Sequence, residues 1–151
     1  MRRKEKEITD KSEIESVIRK SQICRLGLSE NGLPYIVPLC FGYQDDSLYF
    51  HSATEGRKID ILRRNNQVCF EFDGDTRITT GKTACAWGMQ YRSVIGYGTA
   101  SFIEDPEKKR RALDIIMGQY ADGAFEYSGK ALDKTLIIKI DISSITGKKS
   151  E

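Results

Sequence analysis

His51-Ser52-Ala53-Thr54-Glu55-Gly56-Arg57-Lys58 is the densest stretch of chemically capable residues in the chain. It stands where a strand pattern hands over to a helix pattern. The N–H groups at a helix start have no partner within the helix, and the helix dipole favours an anion there. Ser52 and Thr54 add hydroxyls, Gly56 lets backbone approach closely, and Arg57 and Lys58 add positive charge. That combination suits a phosphate, which needs several donors converging on a small volume. The dipole contributes only roughly 0.3–1 kcal/mol, so the cations must carry much of the affinity. A plainer reading uses the same residues: Ser52 and Glu55 as a capping box, with Arg57 and Lys58 as solvated charges. His51 alone is more often a hydrogen-bonded strand residue than a reactive one.

A second cluster, Trp87-Gly88-Met89-Gln90-Tyr91-Arg92-Ser93-Val94, sets aromatic surface beside a cation and a hydroxyl. Such a mixture suits a planar heteroaromatic ligand. It equally suits a barrel strand whose aromatic residues fill a core.

The elements that position these clusters are legible from pattern. Asp10-Lys11-Ser12-Glu13 caps a helix running to about Lys20, with Ile14, Val17 and Ile18 on its apolar face. Ile23–Ser29 reads as a strand, and Asn31-Gly32 as a hairpin turn into a second strand, Pro34–Tyr43. Pro38 cannot donate to a ladder, so it marks an edge, a bulge or a ligand-facing position. Asp45-Asp46 turns the chain into Ser47–His51, and a helix follows to Asn65-Asn66. Gln67–Phe72 is a strand, Asp73-Gly74-Asp75 an irregularity, and residues 77–89 show no clear period. Tyr91–Ile103 is a long strand in which Gly96 and Gly98 invite bending or close approach. Asp105-Pro106-Glu107 opens a helix, residues 122–133 read as a loop, and Thr135–Ile142 as a last strand. About six hairpin-connected strands with three helices predict a mainly β fold, an antiparallel sheet closed as a barrel. Strict strand–helix alternation is missing, and no G-x-G-x-x-G or P-loop signature occurs.

At 151 residues the chain fits one domain, 1–151, with residues 1–9 expected to form a flexible segment. Its 24 Lys+Arg against 22 Asp+Glu leave a net charge of +2, too little to attract nucleic acid or an anionic membrane by overall field. The basic runs Arg2-Arg3-Lys4, Arg63-Arg64 and Lys108-Lys109-Arg110-Arg111 therefore read as solvated faces. No apolar run reaches the ~18–20 residues of a membrane span. Cys24, Cys40, Cys69 and Cys85 are irregularly spaced, with no C-x-x-C and one histidine in the chain. That disfavours a zinc site or a disulfide framework, so no metal is expected. Each cysteine is expected on a strand as a small buried hydrophobe. Reduced thiols without a secretory signal suggest the cytoplasm.

The ordered set of Pro38, His51-Ser52-Ala53 with Gly56 and Lys58, Tyr91-Arg92-Ser93-Val94, and the closing Ile142–Lys148 segment resembles the FMN-binding split-barrel family. That family includes pyridoxamine 5'-phosphate oxidase and the shorter nitroimidazole-resistance (Nim-type) proteins. The resemblance implies a six-stranded antiparallel split barrel that forms a homodimer, with two FMN sites at the subunit interface. It sets Val37, Pro38 and Leu39 against the isoalloxazine ring and His51, Ser52 and Ala53 beside the ribityl and phosphate. Arg57 and Lys58 would hold the phosphate, and Tyr91, Arg92, Ser93 and Val94 would border the flavin. His51 is the candidate catalytic residue on the substrate side. The chain is short for the C-terminal substrate segment of the true oxidases.

Two function classes follow. In one, electrons pass from a reduced donor such as NADH or NADPH through FMN to a small substrate, nitroaromatic compounds being candidates. In the other, the chain is a non-catalytic flavin- or haem-binding carrier or sensor, with His51 as the sole imidazole for a haem iron.

Overall fold

Local side chain-to-backbone bonds start two of the helices where the sequence places them. The computed structural model describes residues 2–151. The Asp10 carboxylate accepts from Ser12 N at 2.8 Å and opens α1 (Lys11–Lys20). Asp105 accepts from Lys108 N at 3.0 Å, and Pro106 takes the first position of α3 (Pro106–Tyr120). A fourth helix, α4 (Gly129–Asp133), capped by Ser128, lies in the stretch expected to be loop.

The strands are β1 (Glu7–Ile8), β2 (Cys24–Glu30), β3 (Leu33–Leu39), β4 (Gly42–Gln44), β5 (Ser47–Ser52), β6 (Gln67–Thr79), β7 (Gly88–Ile103) and β8 (Leu136–Ser150). They form one antiparallel sheet in the order β3-β2-β6-β7-β8-β5-β4, with β1 added beside β8. β3 and β4 end that path yet follow one another in the chain, separated by Cys40 and Phe41, so the sheet rolls into a barrel.

The mainly β architecture with helices is as expected, but the sheet has eight strands, not six. Pro34–Tyr43 divides into β3 and β4, and β1 carries too few residues to leave a periodic signal. Ile8 is buried, so residues 7 and 8 belong to the sheet and not to a loose tail. Met1 of that expected segment lies outside the described residues.

Alternation along the strands fills the barrel with Leu26, Phe50, Phe70, Phe72, Val94, Ile138 and Ile140. The rings of Phe41 and Phe72 stand 4.8 Å apart, in the range of favourable aromatic pairs. Ile14, Val17 and Ile18 of α1 enter this core near the start of β2, and Ile59, Ile61 and Leu62 of α2 (Arg57–Arg64) enter it near its end. The two helices thereby cover opposite mouths of the barrel. A smaller core outside the barrel packs Ala112 and Ile116 of α3 on Ile137.

Gly96 is required by this packing: a Cβ there would stand 2.1 Å from Phe70 Cζ. Ser143 is the extra residue of a bulge in β8, opposite Tyr97 and Gly98, and the strand continues past it to Ser150. Asp75 and Thr76 bulge β6 likewise, after which β6 and β7 extend together as an arm, Arg77–Thr79 against Gly88–Gln90. Cys24 is buried and Cys69 half-buried, but Cys40 and Cys85 are exposed, against the expectation that each is a buried strand residue; Cys85 sits in a single 3₁₀ turn.

Candidate functional site

β5 carries His51 and Ser52 to its end, and the chain then turns through Ala53–Gly56 into α2. The expected Ser52–Glu55 capping box does not form. The N-cap of α2 is Gly56, at φ 125°, and no side chain caps the helix. Few residues other than glycine accept that backbone conformation. The first N–H groups of α2 are left facing outward beside two cations.

Lys58 is half-buried, and burial alone pushes its pKa below the usual lysine value. Among the described residues it makes no ion pair, so its desolvation is uncompensated. A dianion at this helix start would supply the missing partner. Arg57 lies over the ring of Tyr35, 4.6 Å from its centroid, which ties the start of α2 to β3. Tyr35 carries a signal available in the sequence, an aromatic two positions before Val37, yet sequence reasoning passed over it.

β3 pairs with β2 alone, so its other edge is free, and Pro38 occupies an edge strand as expected. Pro38 points outward, whereas Val37 and Leu39 pack on the barrel core. A ligand beside this strand would meet Pro38 and the backbone edge. The β4–β5 ladder stops at Gly42 and Tyr49, so His51 and Ser52 lie past its end, on the part of β5 that β4 does not cover. His51 and Ala53 are exposed and Ser52 half-buried, and α2 begins four residues further on.

The run Tyr91–Val94 lies elsewhere. On β8, Ser52 and His51 pair with Leu136 and Ile137, but Ser93, Arg92 and Tyr91 pair with Lys148, Lys149 and Ser150 at the other end. No hydrogen bond or ion pair among the described residues joins the two groups. The run also divides by face. Tyr91 and Ser93 point out from the sheet, across from Ser150 and Lys148. Arg92 turns toward α1, near Glu13 at 3.7 Å, Asp75 at 4.0 Å and Glu151 at 3.8 Å. Val94 is fully buried in the core. An outer ligand along this stretch would meet Tyr91 and Ser93 through their side chains and Arg92 and Val94 through their backbone.

The outer face holds one more arrangement that sequence reasoning missed. Ile36, Gly27, Cys69 and Tyr97 align across β3, β2, β6 and β7 in one register row. Ile36 is 68% exposed and Tyr97 56%, and the row lines a cavity of about 450 Å³. Trp87, Met89 and Ile78 extend exposed apolar surface along the β6–β7 arm.

The family model described as pyridoxamine 5'-phosphate oxidase matches residues 10–149. The chain belongs to the pyridoxamine 5'-phosphate oxidase family. This family member is similar to the crystal structure of a proposed 5-nitroimidazole antibiotic resistance protein from Bacteroides thetaiotaomicron. The two share 40% identity over 96% of this chain and 90% of that one, with a TM-score of 0.86. The fold also matches a flavocytochrome from Azotobacter vinelandii, at TM-score 0.88 and 19% identity, over 100% of this chain and 72% of the other. An FAD- and haem-binding protein from Mycobacterium smegmatis matches at TM-score 0.88 and 21% identity, over 97% and 74%. No curated protein matches the chain. No helix among the described residues is long and apolar enough to cross a membrane.

Proposed function

We propose that the chain is an FMN-dependent oxidoreductase that works as a homodimer, each flavin being held between the α2 end of one protomer and the β7 strand of its partner. The observation that carries this reading is the uncapped start of α2 beside half-buried Lys58, which has no ion-pair partner. Arg57, Lys58 and the first N–H groups of α2 would hold the phosphate. Ser52 and Ala53 would flank the ribityl chain, and Pro38 with the free edge of β3 would face the ring. The partner's Tyr91 and Ser93 would close the other side. The exposed row Ile36–Gly27–Cys69–Tyr97 supports pairing of two copies, because burying it would remove a large apolar patch from water.

FMN supplies the electron transfer when bound. The chain's own residues bind it, orient it and exclude water from the ring. His51, exposed near the end of β5, would hold or give a proton to a small substrate. The nitroimidazole-resistance protein at 40% identity supports a nitroaromatic acceptor, with NADH or NADPH as donor.

The test is the visible spectrum of purified protein, mass analysis of what heat releases, and nicotinamide oxidation with a nitroaromatic acceptor. Wild type is expected to be yellow, to release FMN and to turn over. Lys58→Glu is expected to bind FMN about 100-fold more weakly or worse, since losing one charge-assisted contact alone is worth ~1.5–3 kcal/mol. A colourless preparation that does not quench added FMN would overturn the reading. A Soret band abolished by His51→Ala would replace it with the haem-binding one.

A further inference from the structure

Arg2, Arg3, Lys6 and Lys148 converge with Tyr91 and Ser150 on one cavity of about 400 Å³. The cavity lies where β1, β8 and the start of β7 meet, at the end of β8 remote from Ser52. Its lining contains four cations and no carboxylate. None of the four makes an ion pair among the described residues. The neighbouring cations are treated differently: Arg92 and Lys149 both face Glu13 and Glu151. Glu7 stands across the ladder from Lys148, yet it does not line the cavity or pair with it. Four like charges around a cavity whose lining has no carboxylate repel one another, and an anion among them relieves that repulsion.

The cavity also has a floor for a flat group. The Lys148 ammonium lies 5.4 Å from the centroid of the Tyr91 ring, and Met89 adds apolar surface beside it. Lys6 Nζ donates to Ser150 Oγ at 2.8 Å, which holds this ammonium at the rim. Four cations match two phosphates, and an aromatic ring with a thioether matches a base. We propose that this cavity is a second anion site, separate from the flavin phosphate site, that takes a nucleotide carrying a diphosphate. A free pyrophosphate shares the charged half of that chemistry but not the stacking half.

The site shares Tyr91 with the residues assigned to the flavin but none of its four cations, so substitutions at Arg2 and Arg3 against Lys58 let the two assignments fail independently. The experiment titrates FMN-saturated protein with ADP, AMP, adenosine and pyrophosphate by calorimetry, at two salt concentrations. ADP is expected to bind at least tenfold more tightly than AMP, with affinity falling as salt rises, and adenosine not to bind. Pyrophosphate is expected to bind more weakly than ADP; equal affinity would overturn the nucleotide assignment. Arg2→Glu and Arg3→Glu, each checked for an unchanged melting temperature, are expected to lose ADP binding and keep FMN. Lys58→Glu is expected to do the reverse. Displacement of FMN by ADP would mean that the cavity is part of the flavin site and would overturn the proposal. Tighter binding of a short single-stranded oligonucleotide than of ADP would overturn it in favour of nucleic acid.

Discussion

Two cations at opposite ends of the barrel, Lys58 and Arg92, are treated in opposite ways. At the α2 end, Lys58 is half-buried without a partner and the helix start is uncapped. At the α1 end, Arg92 is surrounded by Glu13, Asp75 and Glu151. A desolvated cation with no counter-charge costs stability, a cost that the proposed phosphate would offset at Lys58. Arg92 is neutralised within the chain and so contributes to holding α1 on the sheet. Sequence alone ranks these residues as equals, because both are basic residues near a turn or a glycine.

The sharpest way to break that comparison is to divide the flavin site between two chains. Protomers carrying Lys58→Glu and protomers carrying Ser93→Glu are each expected to load no FMN as homodimers. Mixed by refolding, they should regain yellow colour in the heterodimers, one site of each pair being free of both substitutions. Absorbance at the flavin band after size exclusion reads this directly. No recovery on mixing would place the whole site in one protomer.

A smaller effect separates ligand from scaffold. Lys58→Ala is expected to weaken FMN binding about 10- to 100-fold, the worth of one charge-assisted contact, and to leave unfolding almost unchanged. Arg92→Ala is expected to do the opposite, lowering stability by about 1 kcal/mol through a partly exposed ion-pair network while FMN titration hardly moves. Fluorescence quenching and denaturant unfolding on the same preparations check both halves. Gly96→Ala belongs with the scaffold. Its Cβ would fall 2.1 Å from Phe70 Cζ, and such overpacking costs typically ~1–3 kcal/mol.

What the sequence made legible follows the range of the interactions concerned. The starts of α1 and α3 are fixed by Asp10 and Asp105 bonding to N–H groups two or three residues on, so local pattern finds them. Asn31-Gly32 turns the β2–β3 hairpin at positive φ for the same local reason. β8 looked shorter than it is because Ser143 bulges and breaks the alternation. The 77–89 stretch had no period because its arm pairs only with itself and buries no face. Residue types singled out the His51–Lys58 stretch as a phosphate candidate, but they could not show that Gly56, and not Ser52, begins α2. Nor could they show that Arg92 and Val94 face inward, since that depends on which side of β7 the core lies.

The least conspicuous consequence of an unpaired Lys58 is its dependence on pH. Burial lowers its folded-state pKa, so the ammonium is lost on raising pH earlier than in an unfolded chain. Phosphate affinity needs the charged form and should therefore fall as pH rises through that lowered value. Stability of the flavin-free protein should move the other way. Between the folded and unfolded pKa the unfolded chain binds more protons, so raising pH favours folding across that window and leaves it unaffected well below. Other lysines, cysteines and tyrosines titrate in the same alkaline range, so the measurement is the difference between wild type and Lys58→Gln. The difference in FMN affinity is expected to shrink toward zero as pH rises, by a few-fold across the window. A difference that stays constant with pH would mean that Lys58 does not carry the charge on which the α2 end depends.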